Sequence, residues 1–246
     1  MKSLHLALLA CAALFGTHTE AGPGPKTRII LVGDSTVAPR GGWGDEFAKR
    51  LAPGAECRNL ALGGRSSKSY RGEGHWEKVL EARPDWVLIQ FGHNDQPGKG
   101  PKRETDADTS FRENLVNYIA DLKKIGARPV LVTSLTRRNF NPQGRIDAER
   151  LEPYADAQVG GTGKDHLADY VAATRAVAAA EKVPLVDLNA RSVGQMNEIG
   201  PEAAAAYDLK KGDTTHLSPL GAQRTALLVA TEIQSHIPEL ASLLKK

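Results

Sequence analysis

Four short polar clusters in this 246-residue chain carry residue types that could together perform acyl transfer. Ser35 lies in Gly33-Asp34-Ser35-Thr36, directly behind the apolar run Ile29-Ile30-Leu31-Val32. A serine on a strand-to-helix turn has an exposed hydroxyl, and the following helix N-terminus favours negative charge beside it. Asp213 and His216 stand three residues apart in Asp213-Thr214-Thr215-His216. That spacing can set a carboxylate against imidazole Nδ1 and leave Nε2 free to take a serine proton. Gly63-Gly64-Arg65-Ser66 can present backbone N–H groups at positive φ, and Asn94 in Gly92-His93-Asn94-Asp95 can aim a side-chain amide at the same point. Such donors are what a developing oxyanion requires. Each cluster alone has a plainer explanation as a cap, a tight turn or a helix-start aspartate beside a surface histidine. Their conjunction points to a serine hydrolase.

The elements between the clusters supply the frame. Apolar and β-branched runs predict strands over residues 28–32, 56–61, 85–91, 128–135 and 183–188. Helical spacing predicts helices over 43–51, 73–82, 111–125 and 165–181. In 111–125 the apolar positions are Phe111, Leu115, Tyr118, Ile119, Leu122 and Ile125. A terminal helix is expected after Ser218-Pro219, a fitting N-cap and first residue. Residues 96–108, rich in Gly, Pro and charge, read as a loop. Continuous apolar strands separated by helices imply a parallel sheet covered on both faces. The expected fold is therefore a three-layer α/β/α sandwich, flavodoxin-like, with a five-stranded parallel sheet in one domain over 28–246. In such sheets function collects at the carboxyl ends of strands, where the clusters holding Ser35, Gly64 and Asn94 fall. Residues 137–163 form an irregular insertion that either borders a cleft or is a surface excursion.

The four clusters match, in order, the sequence blocks of a known superfamily. Gly33-Asp34-Ser35 resembles the GDS block of SGNH (GDSL) hydrolases, Gly64 their glycine block, Gly92-His93-Asn94-Asp95 their GxND block and Asp213-Thr214-Thr215-His216 their DxxH block. The surrounding text narrows the likeness. Thr36-Val37-Ala38, Gly42-Trp43-Gly44, Asn59, Arg65 to Tyr70, Gln90-Phe91 and Leu217-Ser218 with Gly221-Ala222 look like the rhamnogalacturonan acetylesterase branch. The resemblance implies that Ser35 attacks an acetyl carbonyl, His216 shuttles the proton and Asp213 orients the imidazole. It also implies an oxyanion hole made by the Ser35 and Gly64 N–H groups and the Asn94 side chain. The implied substrate is an acetylated plant cell-wall polysaccharide, above all rhamnogalacturonan, and neither cofactor nor metal is required. Arg65, Tyr70, His93 and Trp43 are candidate substrate contacts, against the plainer alternatives of a surface arginine, a half-buried tyrosine, a loop support and core packing. His75, beside Trp76, is either a lid contact or ordinary packing, and His166 and His236 read as solvent-facing. Competing functions are an esterase of other acetylated sugars or xylan, a thioesterase or lysophospholipase, and a non-catalytic carbohydrate-binding module.

Composition bounds the rest. Hydrophobic residues make up 41% and charged residues 25%, ordinary globular values that exclude disordered and fibrous classes. A formal net charge of +3 with no basic run argues against nucleic acid and suits an acidic polymer. Met1-Lys2, an apolar run from Leu4 to Phe15 and small residues up to Ala21 read as a signal peptide over 1–21, followed by a Gly/Pro linker over 22–27. The run is too short to span a bilayer, which takes ~20 residues. The expectation is an exported protein, periplasmic or secreted and not inserted in a membrane, with a monomer favoured over an oligomer and lipidation of Cys11 ranked below cleavage. Cleavage would leave Cys57 as the sole cysteine, read as a structural thiol.

Overall fold

The computed structural model describes residues 26–147 and 166–245. Five strands form one parallel sheet: β1 (Thr27–Gly33), β2 (Ala55–Asn59), β3 (Trp86–Gln90), β4 (Arg128–Val132) and β5 (Leu185–Val186), in the order β2-β1-β3-β4-β5. This is the expected flavodoxin-like arrangement. The chain moves outward from β1 to β2, then returns past it to β3, so the direction of winding reverses between β1 and β3. A crevice opens outside the carboxyl ends of strands at such a switch point.

Period-2 alternation in the strands builds the two outer layers. Ile29 and Leu31 of β1 face a core completed by Trp43 and Phe47 with Val229 and Ile233. These partners lie on or beside α1 (Gly44–Ala48) and α7 (Pro219–His236). Ile30 and Val32 face the opposite core, filled by Trp76, Phe111, Leu115, Tyr118 and Tyr170. That layer comprises α2 (Ser67–Gly72), α3 (His75–Glu81), α4 (Ser110–Lys124) and α5 (Leu167–Glu181). Ser218 caps α7 by accepting from Gly221 N at 3.1 Å, with Pro219 at the first turn. The short α8 (Pro238–Ala241) ends the chain's helices.

Several expectations are revised. β1 begins at Thr27, one residue inside the anticipated linker. β4 stops at Val132, and β5 is two residues long, because Asp187 turns out of the sheet to cap α6 (Leu188–Ala204) by accepting from Ala190 N. Neither α2 nor α6 was expected. Ile125 does not join the apolar face of α4: it is the C-cap and 46% exposed. Residues 137–147 of the expected insertion pack Phe140 and Ile146 against Met196, Ala204 and Tyr207, forming a small third core. The remainder of that insertion, the signal-peptide region and Cys11 lie outside the described residues. Among the described residues no helix is long and apolar enough to cross a membrane.

Candidate active site

Ser35 sits on the turn that leaves β1. Val37 N and Ala38 N donate to Asp34 O at 3.2 and 3.0 Å, and the buried Asp34 carboxylate accepts from Thr36 N at 2.9 Å and Thr36 Oγ1 at 2.8 Å. A line of buried hydrogen bonds braces this turn from β3: Trp43 Nε1 donates to Gln90 Oε1 at 2.9 Å, and Gln90 Nε2 donates to Thr36 Oγ1 at 2.5 Å. Burial works against ionisation of Asp34, but bonds from His93 and Thr36 outweigh it and hold the carboxyl below its usual value. Ser35 itself is only partly buried, so its hydroxyl can be reached.

The second half of the site is a loop between residues 208 and 218. There His216 Nδ1 lies 3.0 Å from Asp213 Oδ2, while His216 Nε2 lies 2.9 Å from Ser35 Oγ. Asp213 Oδ1 also accepts from His216 N at 2.9 Å and Thr215 N at 3.2 Å. Burial raises the Asp213 carboxyl, yet these N–H bonds and the facing imidazole overcome it, and the net displacement is downward. An ionised carboxylate at Nδ1 fixes the tautomer that leaves Nε2 as acceptor for the serine proton. The three expected triad residues are thus in one hydrogen-bonded line.

The donor loops meet the same place. Leu60 N and Leu62 N continue the ladder onto Leu31 O and Gly33 O, carrying the chain from β2 to the glycine loop. A Cβ placed on Gly63 would lie 3.7 Å from Ser35 Cβ, and Gly64 adopts φ +77°, a conformation that favours glycine. Asn94 Nδ2 donates to Arg65 O at 3.2 Å, which lays the carboxamide along this loop and leaves its second N–H uncommitted by that bond. Asp95 fastens the two loops together: its carboxylate accepts from Ser67 N, Ser67 Oγ, Gly92 N and Thr105 Oγ1. Complete burial pushes its pKa up to about 7 despite those bonds, with the Asp34 charge adding to the rise.

Three of the four candidate substrate contacts take the plainer alternative, packing or support beneath the site. Tyr70 is buried, donating to Leu60 O at 2.8 Å and packing on Phe91. Trp43 is buried in the brace just described and offers no sugar platform. His93 is also buried, its Nδ1 3.6 Å from Asp34 Oδ2, so it supports the turn that carries Ser35. Arg65 is partly exposed and paired with Glu73 at 2.9 Å and Gly63 O at 3.0 Å. His75 packs on Tyr70 and meets Glu73, His166 pairs with Asp169, and His236 is exposed. Burial with the nearby Asp45 charge pushes the Cys57 thiol up to about 12, which suits a structural rather than a nucleophilic cysteine. Arg138 was not anticipated: it is buried and donates into the loop carrying Asp213 and His216. Nothing in the sequence around it marks that contact, which spans some 75 residues. Among the described residues no group of three or more His, Cys, Asp or Glu side chains is arranged to hold a metal ion.

Comparison with known proteins identifies the family. The profile of the GDSL-like lipase/acylhydrolase family matches residues 21–224. "Rhamnogalacturonan acetylesterase RhgT" of Bacillus subtilis is 33% identical over 228 residues, covering 84% of this chain and 89% of that one. "Probable rhamnogalacturonan acetylesterase YesY" of the same organism is 32% identical over 230 residues, covering 89% and 98%. The crystal structure of Bacillus subtilis YxiM superposes with a TM-score of 0.68 at 27% identity, covering 85% of this chain and 56% of that longer one. With the family profile and two such relatives spanning most of its length, the chain belongs to the GDSL-like lipase/acylhydrolase family and is a carboxylic ester hydrolase of that type.

Proposed function

We propose that the protein removes O-acetyl groups from a plant cell-wall polysaccharide, rhamnogalacturonan first, through an acetyl-enzyme formed on Ser35. The observation that carries the chemistry is the unbroken line from Asp213 through His216 to Ser35 Oγ, closed at 2.9 Å. Ser35 Oγ attacks the acetyl carbonyl as His216 Nε2 takes the hydroxyl proton, and Asp213 stabilises the imidazolium that forms. The negative charge on the carbonyl oxygen is met by the N–H groups of Ser35 and Gly64 and the free N–H of Asn94. Each such donor is worth ~3–4 kcal/mol in the transition state. His216 then returns the proton to the sugar oxygen as the C–O bond breaks. Water, deprotonated by the same imidazole, attacks the acetyl-enzyme and releases acetate.

Substrate choice rests on similarity, because fold and triad do not fix it. Two relatives above 30% identity carry rhamnogalacturonan acetylesterase names, and the mild positive charge of this chain suits an acidic backbone. Acetate release from acetylated rhamnogalacturonan, acetylated xylan and simple acetylated sugars, measured side by side, tests this reading. The highest kcat/KM is expected on rhamnogalacturonan. A higher value on xylan or free sugars would replace the polymer and keep the chemistry. No acetate from any of them, with no hydrolysis of p-nitrophenyl acetate, would leave a carbohydrate-binding module.

A further inference from the structure

His216 and Asp213 occupy a loop rather than a regular element, yet general-base work requires Nε2 to stay in bonding range of Ser35. Between residues 208 and 218 the ends of the loop are tied by Asp208 N to Ala205 O at 3.2 Å, Leu217 N to Gly41 O at 2.9 Å and Ser218 N to Tyr207 O at 2.8 Å, with an isolated bridge between Asp208 and Leu217. Its interior has Leu209 N to His216 O at 3.2 Å and Asp213 N to Lys210 O at 2.9 Å. Gly212, at φ +79°, relaxes the tip. Ser35, by contrast, leaves the end of a central strand. The relative position of base and nucleophile therefore depends on what holds the loop.

Arg138 holds it at four points. Its backbone N donates to Thr214 O at 2.9 Å, and its Nε pairs with Asp208 Oδ1 at 2.7 Å. Its Nη2 donates to both Asp213 O and His216 O, each at 2.7 Å. The side chain is only 3% exposed, so these charge-assisted bonds are not shared with solvent. One rigid fork thus grips the carbonyls of both residues that form the acid–base pair, from a chain segment just beyond β4. We infer that Arg138 is a positioning residue for this reaction, fixing the backbone of Asp213 and His216 so that Nε2 stays aimed at Ser35 Oγ. The inference rests on the acyl-transfer reading above. Lysine could not substitute, since a point ammonium lacks the planar fork that reaches both carbonyls and Asp208 together.

The test compares full-length wild type with Arg138→Met, Arg138→Lys, Asp208→Asn and Ser35→Ala. For each, kcat and KM on p-nitrophenyl acetate, the rate of fluorophosphonate labelling and the melting temperature are measured. A displacement near 1 Å at a catalytic group costs up to ~10²-fold, so Arg138→Met should lower kcat by roughly 10- to 100-fold. Labelling should slow in parallel. KM should hold within about twofold, because His216 serves both acylation and deacylation. Asp208→Asn breaks one of the four anchor points but keeps the guanidinium on the two carbonyls, so its loss of kcat should be clearly smaller than that of Arg138→Met even if its melting temperature drops. If Arg138→Met does not fold, Arg138→Lys carries the test: it should lose kcat in the same direction. Wild-type kcat in either Arg138 variant overturns the inference. So does a loss in Asp208→Asn as large as in Arg138→Met, which would make Arg138 a structural ion-pair partner only. Retained turnover in Ser35→Ala would instead overturn the underlying triad.

Discussion

At the scale of single residues, the site depends on a short polar line whose members were readable because they lie in compact local patterns. Asp213 and His216 are three apart and Ser35 follows an apolar strand, and although each pattern alone reads as a cap or turn, their conjunction pointed to acyl transfer. For Trp43, Tyr70 and His93 the sequence left two alternatives open, and the plainer one holds. Their burial is set by distant partners, Gln90, Leu60 and Asp34, and no local pattern reveals such contacts. The Asp213 carboxyl lies below its ordinary value of 3.8, so it remains ionised across the pH range where an esterase is assayed. Its contribution to the folded state is present above that value and lost only as pH falls through the lower, folded one. In the proposed mechanism that ionised carboxylate holds His216 in the tautomer able to accept the Ser35 proton. Asp213→Asn should lower kcat by roughly 10³- to 10⁴-fold by allowing the wrong tautomer, measured with one soluble acetyl ester while the variant stays folded. An unchanged rate would reduce Asp213 to a turn cap.

At the scale of elements, the loops after β2 and β3 act as one unit because Asp95 joins them. The strands and the α7 cap were legible from apolar runs and from Ser218-Pro219. By contrast α6 was not, since Gly194 and the Gly200-Pro201 kink interrupt its helical signal. Asp95 itself makes a pH prediction. Its pKa is raised from 3.8 to about 7, so the folded state prefers the protonated carboxyl. Stability from this group is thus fullest below 3.8 and declines as pH rises to about 7. Melting curves of Asp95→Asn between those limits should show a shallower pH dependence than wild type; parallel curves would contradict the assignment. Gly92 makes a steric one. It holds φ +138°, and an added Cβ would lie 2.3 Å from Ser134 Oγ. Gly92→Ala should cost more than ~1 kcal/mol in denaturant unfolding and lower esterase activity, because the displaced loop carries Asn94. A variant as stable and active as wild type would show that the loop tolerates the shift.

At the scale of the molecule, the sheet order β2-β1-β3-β4-β5 explains why distant clusters converge. The switch point between β1 and β3 sets the Ser35 turn beside the Asn94 loop, and α7 returns the chain so that its preceding loop brings His216 over Ser35. Topology was inferable from the alternation of strand and helix patterns, whereas the Arg138 anchor depends on a contact between the segment after β4 and a loop near the C-terminus. The central claim is that Ser35 is the nucleophile, and it is tested most directly by peptide mapping of the fluorophosphonate adduct, with the turnover of Ser35→Ala measured in parallel. The adduct should map to Ser35, and the alanine variant should fold normally, take no label and lose on the order of 10⁶-fold in kcat. A label on another residue, or an alanine variant keeping about a tenth of wild-type turnover, would contradict it.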